Sequence, residues 1–284
     1  MSSDTSKIVK NTSTAFVKSM KRRSKIQDIS ETGIVILNYD QECYPFESVM
    51  IENLIEKKLI DHEVSLDKLH QNLMPADMEV DADGNNAVLK ALYETNNVMS
   101  ILYSKFMKEI ILPFIGENCY VQKTPTNRFS FPFSKGMTDR DYHNDIMLGH
   151  PPEEVNVWVP LTNTSKSRSF SILGLSDSLN FLKKYDNNLS DLHYAIWNDD
   201  NLFAAIQKKA TIVEMKPGEV MLFDSRCIHS STLNSSEYTR VSIDVRIIAL
   251  EEYLKLPFKY IGTGRRRAQF IPGDYYTLDP LSSK

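Results

Sequence analysis

A histidine followed two residues later by a carboxylate is the clearest chemical signal in the chain. Of the six histidines, only His143 has this spacing, to Asp145. On a strand, side chains two apart point to the same face, so the imidazole and the carboxylate would converge on one point. A second histidine from a distant strand would complete a facial triad, which holds Fe(II) on one side and leaves adjacent positions open. The pattern predicts a metal site, although so short a motif also arises by chance near surface turns.

The second histidine lies in a segment with a recognisable order of features. A Pro-Gly turn opens the segment 217–224 (PGEVMLFD), which is predicted to be a strand ending in Phe-Asp. His229 and then Arg240 follow, eleven residues apart. This order resembles the end of the double-stranded β-helix in Fe(II)- and 2-oxoglutarate-dependent dioxygenases, nearest to their phytanoyl-CoA-hydroxylase-like and streptomycin-biosynthesis-type branches. The resemblance extends over residues 120–248, about half of the chain.

The resemblance implies a ligand set and two cosubstrates. It makes His143, Asp145 and His229 both the iron ligands and the catalytic residues, with 2-oxoglutarate and O2 as cosubstrates. It places Arg240 where the family binds the distal carboxylate of 2-oxoglutarate. An arginine suits this position because its planar guanidinium binds both carboxylate oxygens and stays charged at any relevant pH.

The predicted last strand offers two arginines for that role. Arg240, Ser242, Asp244 and Arg246 share one face, since they are spaced two apart. Arg240 and Ser242 would hold the carboxylate through an ion pair and a hydroxyl, as in the Arg-x-Ser pattern of the family. Arg246 is the alternative, and its other interpretations are a pair with Asp244 or a contact to substrate. The spacing from the second histidine favours Arg240.

Four further side chains are candidates from the upstream strands. Asn156 and Gln122 are predicted to hydrogen-bond to 2-oxoglutarate from neighbouring strands. Trp158 and Arg128 are predicted to contact substrate, together with Arg246. For Trp158, packing in the core is an equally good interpretation.

The predicted function is oxidation of a C–H bond, by hydroxylation or a related reaction, on a small polar metabolite of a biosynthetic or secondary-metabolic pathway. Halogenating members of the family leave the carboxylate position open for chloride, and Asp145 fills it here. Two alternatives remain: a metal-dependent cupin-type dioxygenase that does not use 2-oxoglutarate, and a non-catalytic jelly-roll binding protein. The identity of the metal and binding of 2-oxoglutarate separate them.

The elements that position these residues are predicted from periodicity. A buried strand at 33–37 and helices at 46–59 and from Asn86 to Pro113 are expected first. From residue 120 onward the pattern changes to short strands interrupted by a helical insert. The nine predicted strands are 120–124, 128–133, 141–147, 155–161, 170–173, 211–215, 219–223, 227–233 and 240–248. They favour a mainly β protein with flanking helices (α+β) and a double-stranded β-helix, or jelly-roll, core.

The chain is expected to form a single oxygenase domain, 1–284. Within it, residues 1–118 would be a mainly helical part packed on the core, and residues 119–250 the β core with an insert at 176–209. Residues 251–284 would be a tail near the mouth of the barrel. The insert and the tail are expected to shape the substrate site, because segments around a rigid scaffold determine specificity.

Composition excludes several other classes. Hydrophobic residues make up 42% and charged residues 25%, as in ordinary globular proteins, and the formal charge of -4 favours neither nucleic acid nor anionic lipid. No apolar run approaches the ~20 residues of a membrane span, and the N-terminus lacks the apolar core of a secretory signal. Three cysteines without paired spacing favour reduced thiols in the cytoplasm. The oligomeric state is open.

Three short motifs lie outside this site. Asp81-Ala82-Asp83-Gly84-Asn85 resembles the start of an EF-hand loop, but Lys90 stands where a bidentate glutamate is needed. The basic run 21–23 is best explained as a solvated helix end. The run 265–267 (RRR) is either an exposed loop or a contact to an anionic substrate.

Overall fold

The computed structural model describes residue 26 and residues 30–79, 86–92, 97–132, 140–256 and 269–282. The basic runs 21–23 and 265–267 and the loop 81–85 therefore lie outside the described residues. Across the described ranges, no helix combines the length and apolar character that a membrane crossing requires.

The N-terminal part is helical around one strand, as predicted. The strand is β1 (Ile34–Asn38), and a 3-10 helix spans Leu66–Asn72. The α-helices are α1 (Phe46–Glu56), α2 (Pro75–Met78), α3 (Ala87–Ala91), α4 (Asn97–Phe106) and α5 (Leu112–Ile115). Their apolar faces pack on the outer face of a β-sheet and form the largest hydrophobic cluster among the described residues.

The predicted helix end at Pro113 is wrong. A π-helical turn, Met107–Ile111, follows α4, and α5 continues to Ile115 before Gly116 ends it with a φ of 72°. Proline is tolerated here because it lies in the first turn of α5, where its missing N–H would have no partner within that segment. Glycine adopts the left-handed conformation of the helix end without steric cost.

Strands from the described residues form two antiparallel sheets. Their bounds are β2 (Cys119–Val121), β3 (Thr126–Ser130), β4 (Val155–Pro160), β5 (Phe170–Ile172), β6 (Thr211–Ile212), β7 (Glu219–Asp224), β8 (His229–Ser231) and β9 (Arg240–Ala249). The larger sheet has the order β1-β7-β4-β9-β2, with β3 also paired to β9, and the smaller sheet has the order β6-β5-β8. The predicted mixture of helices and antiparallel strands is therefore confirmed.

Strand β9 divides the larger sheet into an outer and an inner face. Val241, Ile243, Val245 and Ile247 belong to the cluster with the N-terminal helices. Because side chains alternate along a strand, Arg240, Ser242, Asp244 and Arg246 face the other way. This inner face lies opposite the smaller sheet, with an aromatic and aliphatic cluster from both sheets between them.

The predicted helical insert is confirmed, and one predicted strand is wrong. The insert contains α6 (Leu175–Lys183), α7 (Leu189–Asn198) and α8 (Asp200–Lys209). The segment 141–147 is not a strand: only His143 pairs, through a bridge to His229, and a 3-10 helix, Asp145–Leu148, follows. A local cap explains the turn, because the Asn144 side chain accepts a hydrogen bond from the Met147 amide.

Packing of α4 against the segment from Tyr39 to Phe46 gives a first prediction. Phe106 is fully buried, and its ring makes edge contacts with the rings of Tyr39, Tyr44 and Phe46 at centroid distances of 5.1, 5.3 and 5.1 Å. Phe106→Ala is expected to lower the free energy of unfolding by about 3–5 kcal/mol, because it removes these contacts and leaves a cavity. Ile101→Ala on the same helix, where the side chain is 70% exposed, should change it by less than about 0.5 kcal/mol. Urea denaturation of both variants measures this, and equal losses would contradict the packing.

Candidate functional site

The three predicted metal ligands meet at one point. His143 and His229 exchange two backbone hydrogen bonds, with N–O distances of 3.0 and 2.7 Å, and the Asp145 amide donates to the Ser225 carbonyl at 3.0 Å. The candidate ligand atoms of His143, Asp145 and His229 all lie within 4.8 Å of one another. His229 Nε2 and Asp145 Oδ1 are 3.9 Å apart. One ion with bonds of about 2.1 Å fits among them after a small inward movement.

Both imidazoles are held with Nε2 free to bind a metal. His143 Nδ1 donates to the Asp141 carbonyl at 2.8 Å, and His229 Nδ1 donates to the Cys227 carbonyl at 3.0 Å. Since a carbonyl only accepts, the proton of each neutral ring is on Nδ1, and the Nε2 lone pair is available. Burial, reinforced by the neighbouring His143, lowers the pKa of His229 to about 4, so this ring is neutral at pH 7.

The carboxylate of Asp145 is fully buried and is bound by Arg246. Arg246 Nε donates to Oδ2 at 3.2 Å and Nη2 donates to Oδ1 at 3.3 Å. Burial alone would raise the pKa of Asp145, but the positive charges around it, Arg246 foremost, hold that pKa well below its usual range. Arg246 Nη1 also donates to Asp244 Oδ2 at 3.0 Å. Arg246 thus forms the pair with Asp244 that was one alternative from the sequence, and it also binds the candidate ligand Asp145.

Arg240 is buried, and none of the residues that the structure describes is its counter-ion. Its Nη1 donates to the Ser169 carbonyl, its Nε has no hydrogen-bond partner, and no described carboxylate pairs with it. Burial, together with the positive charge of Arg128, lowers the pKa of Arg240 to about 10. Ser242 Oγ, on the same face of β9, and both polar atoms of the Asn156 side chain are likewise buried and unpartnered. Buried polar groups in folded proteins are normally paired, so this cluster fits an absent polar ligand.

The remaining predicted residues lie around this cluster with partners of their own. Gln122 Nε2 donates to the Thr124 carbonyl at 2.7 Å, and Gln122 Oε1 accepts from the Arg246 amide at 3.1 Å and the Tyr275 hydroxyl at 3.0 Å. Trp158 is buried and packs edge-on against Phe170, with ring centroids 4.9 Å apart. The structure thus places Gln122 in the layer behind the site and Trp158 in its apolar wall.

Ser130 was missed from the sequence. It is buried, its hydroxyl has no partner, and it lies opposite Arg240 in the register of β3 and β9. Directly opposed residues in antiparallel strands point to the same face, so Ser130 belongs with the cluster around Arg240. Its spacing of two from Arg128 was the available signal, since it puts both on one face of β3.

Tyr275 was also missed, and no motif marks it. Its hydroxyl reaches Gln122, and burial above all raises its pKa well above the usual value. The neighbouring Tyr276 hydroxyl hydrogen-bonds to Glu154, whose other oxygen binds His150 Nδ1 at 2.7 Å. The described C-terminal residues thus contact Gln122 and Glu154 through Tyr275 and Tyr276.

A pH dependence follows from His229. In the unfolded chain this imidazole binds a proton near pH 6.5, whereas in the folded chain it stays neutral until pH falls to about 4. The unfolded state therefore binds more protons between these values, and the metal-free protein is expected to lose about 3 kcal/mol of stability as pH falls through this window. Urea denaturation from pH 7 to pH 4 measures the slope. His229→Gln should flatten it, and parallel slopes for the two proteins would contradict this account.

The chain is similar in sequence to a streptomycin biosynthesis protein and in fold to EctD, which was solved with 2-oxoglutarate. No protein-family model matches it. The streptomycin biosynthesis protein StrG of Streptomyces griseus is 25% identical over 197 residues, covering 69% of this chain and 78% of StrG. EctD from S. alaskensis, solved with 2-oxoglutarate and 5-hydroxyectoine, has a TM-score of 0.53 and 15% identity, with 92% and 84% of the two chains covered. The α-ketoglutarate-dependent carbocyclase SnoK from nogalamycin biosynthesis has a TM-score of 0.45 and 13% identity, with 93% and 98% covered. The resemblance predicted from the sequence is confirmed.

Proposed function

We propose that the protein is an Fe(II)- and 2-oxoglutarate-dependent oxygenase that oxidises a C–H bond of a small polar metabolite in a biosynthetic pathway. The observation that supports this most directly is the buried, unpaired Arg240 on the same face of β9 as the metal-ligand support Arg246. A metal site alone would not need a second buried cation. A cosubstrate with two carboxylates needs one end on the metal and the other on such a cation.

We propose that the core is a double-stranded β-helix. From β3 onward the chain alternates between the two sheets. The larger sheet takes β3, β4, β7 and β9. The smaller sheet takes the bridge at His143, then β5 with β6, then β8. This alternation brings the His143–His229 bridge in the smaller sheet opposite the inner face of β9. The likeness of the fold to EctD, solved with 2-oxoglutarate, is consistent with this core.

The ligands support Fe(II) over other metals. Two imidazole nitrogens and one carboxylate oxygen on one side of a site are typical of non-haem Fe(II) oxygenases, whereas all-oxygen sites suit magnesium or calcium. When bound, iron would activate O2, the oxidant for attack on a C–H bond, and 2-oxoglutarate would supply two of the electrons that reduce it.

The residues of the chain supply geometry and electrostatics. The Asp141 and Cys227 carbonyls fix the tautomers of the two histidines. Arg246 keeps the Asp145 carboxylate ionised and oriented. Ser242 and Asn156 would donate hydrogen bonds to the 2-oxoglutarate carboxylate that Arg240 binds. Because these groups are already in place and shielded from water, little reorganisation opposes binding.

Anaerobic addition of Fe(II) and 2-oxoglutarate to metal-free protein tests this proposal. The expected result is a weak visible charge-transfer band that requires both components. His229→Ala should lose the band, and a variant outside the site, Ile101→Ala, should keep it. Iron binding without the band would favour a cupin-type dioxygenase that does not use 2-oxoglutarate, and absence of iron binding would reject the enzyme.

A further inference from the structure

We infer that Arg128 forms a second anion site beside the proposed 2-oxoglutarate site and that the substrate carries a single carboxylate that binds there. The inference rests on the proposed function and names the class of substrate. It starts from the hydrogen bonds of Arg128, which lies on β3 with its side chain 43% exposed.

One edge of the Arg128 guanidinium is used and the other is free. Nε and Nη2 both donate to Asp244 Oδ2, at 2.8 and 2.5 Å. Within the described ranges nothing accepts a hydrogen bond from Nη1. A guanidinium binds a carboxylate through two parallel N–H groups, and the edge formed by Nη1 and Nη2 presents such a pair.

Arg128 is on the inner face of the larger sheet, beside the proposed 2-oxoglutarate site. Its register partner on β9 is Ser242, and its charge acts on Arg240. Through Asp244 it is also joined to Arg246, which holds the metal ligand Asp145. An anion on Arg128 therefore lies two contacts from Asp244 and three from Arg246.

Counted over the inward side chains of β3 and β9 together with Asp145, one positive charge is unbalanced. Arg128, Arg240 and Arg246 face two carboxylates, Asp145 and Asp244. Fe(II) and 2-oxoglutarate add charges of +2 and -2, which cancel, so the excess remains when both are bound. Burying an uncompensated charge is costly, whereas a paired charge is tolerated. Of the three arginines, only Arg128 has a partly exposed side chain.

Among the described residues, Asp141 and Glu154 form no ion pair with these three arginines. Asp141 has a side chain that is 55% exposed, on the Nδ1 side of His143, where water screens it. Glu154 is buried, and His150 and Tyr276 hydrogen-bond to its two oxygens.

A single excess charge fits a carboxylate better than a phosphate. A phosphate monoester has a charge of about -1.5 to -2 near neutral pH, which would leave the face negative. A carboxylate has a charge of -1, and its two oxygens match the free edge of the guanidinium. The carboxylate would anchor one end of the substrate, with the carbon to be oxidised toward the metal ligands.

The test uses acetate as the probe on protein loaded with Mn(II) and 2-oxoglutarate. Mn(II) replaces iron because it is stable in air and enhances the NMR relaxation of nearby protons. Relaxation of the acetate methyl protons is expected to rise saturably in the wild-type protein, and that of uncharged acetamide is not. Arg128→Gln should weaken acetate binding by about tenfold or more, the loss of one charge-assisted pair, and Arg128→Lys should restore part of it.

The affinity for 2-oxoglutarate, measured on the same samples, identifies which carboxylate Arg128 binds. Arg128→Gln should leave it nearly unchanged. If this variant loses 2-oxoglutarate as strongly as acetate, Arg128 belongs to the cosubstrate site and the inference is wrong. Acetate relaxation that is the same in wild type and variant would place acetate on the metal and would also overturn it. Failure to bind Mn(II) or 2-oxoglutarate, seen directly in their own titrations, would reject the proposed function and this inference together.

Discussion

Arg240→Met is expected to weaken 2-oxoglutarate binding by about 100-fold or more while leaving the fold at least as stable as the wild type. The arginine is buried with no carboxylate partner among the described residues, so its charge opposes folding until a ligand binds. Methionine fills a similar space without a charge. Titration of the charge-transfer band with 2-oxoglutarate measures affinity, and urea denaturation measures stability.

Arg226→Met is the matched control for that variant. Arg226 is as buried as Arg240, but its Nε and Nη2 donate to both oxygens of Asp224, at 2.7 and 2.6 Å. Removing it leaves a buried carboxylate without its ion-pair partner, so we expect a loss of about 3–5 kcal/mol in stability. Arg240→Met should thus lose 2-oxoglutarate affinity and keep its stability, whereas Arg226→Met should lose stability and keep its 2-oxoglutarate affinity. Unchanged 2-oxoglutarate affinity in Arg240→Met would return the role to Arg246.

Asp145→Asn is expected to weaken Fe(II) binding by about 100-fold or more, because a neutral amide replaces the only anionic ligand of the triad. It should also lower stability at pH 7 by about 2–3 kcal/mol, since Arg246 loses the charge of a buried partner. Anaerobic Fe(II) titration and urea denaturation measure the two effects.

Asp224→Asn separates metal binding from loss of a buried ion pair. Asp224 is also fully buried and bound by an arginine, but it is not among the three candidate ligands. Asp224→Asn should lose about as much stability as Asp145→Asn and still bind Fe(II). If both variants lose iron equally, the effect of Asp145→Asn comes from damage to the fold and the ligand assignment fails.

Much of the fold was predictable because local periodicity determines it. The strand near residue 34, the helix from Phe46 and the helical insert are all confirmed, with ends shifted by a few residues. The predicted strand at 141–147 is wrong, because the Asn144 cap turns the chain directly after His143, the one residue of this segment that pairs with another strand. The end of the helix near Pro113 was displaced because a π-helical turn precedes the proline. Both departures depend on hydrogen bonds that periodicity does not encode.

The sequence by itself determined which chemistry-bearing residues exist and which of them share a face. The His-x-Asp spacing, the second histidine and the alternation from Arg240 to Arg246 all follow from residue type and a period of two. Only the tertiary structure decided which partner each side chain has. It joined Arg246 to Asp145, left Arg240 without a counter-ion among the described residues, supplied Gln122 with protein partners and put Ser130 opposite Arg240. These outcomes depend on strand register and on contacts between residues far apart in the chain, and no local pattern specifies those.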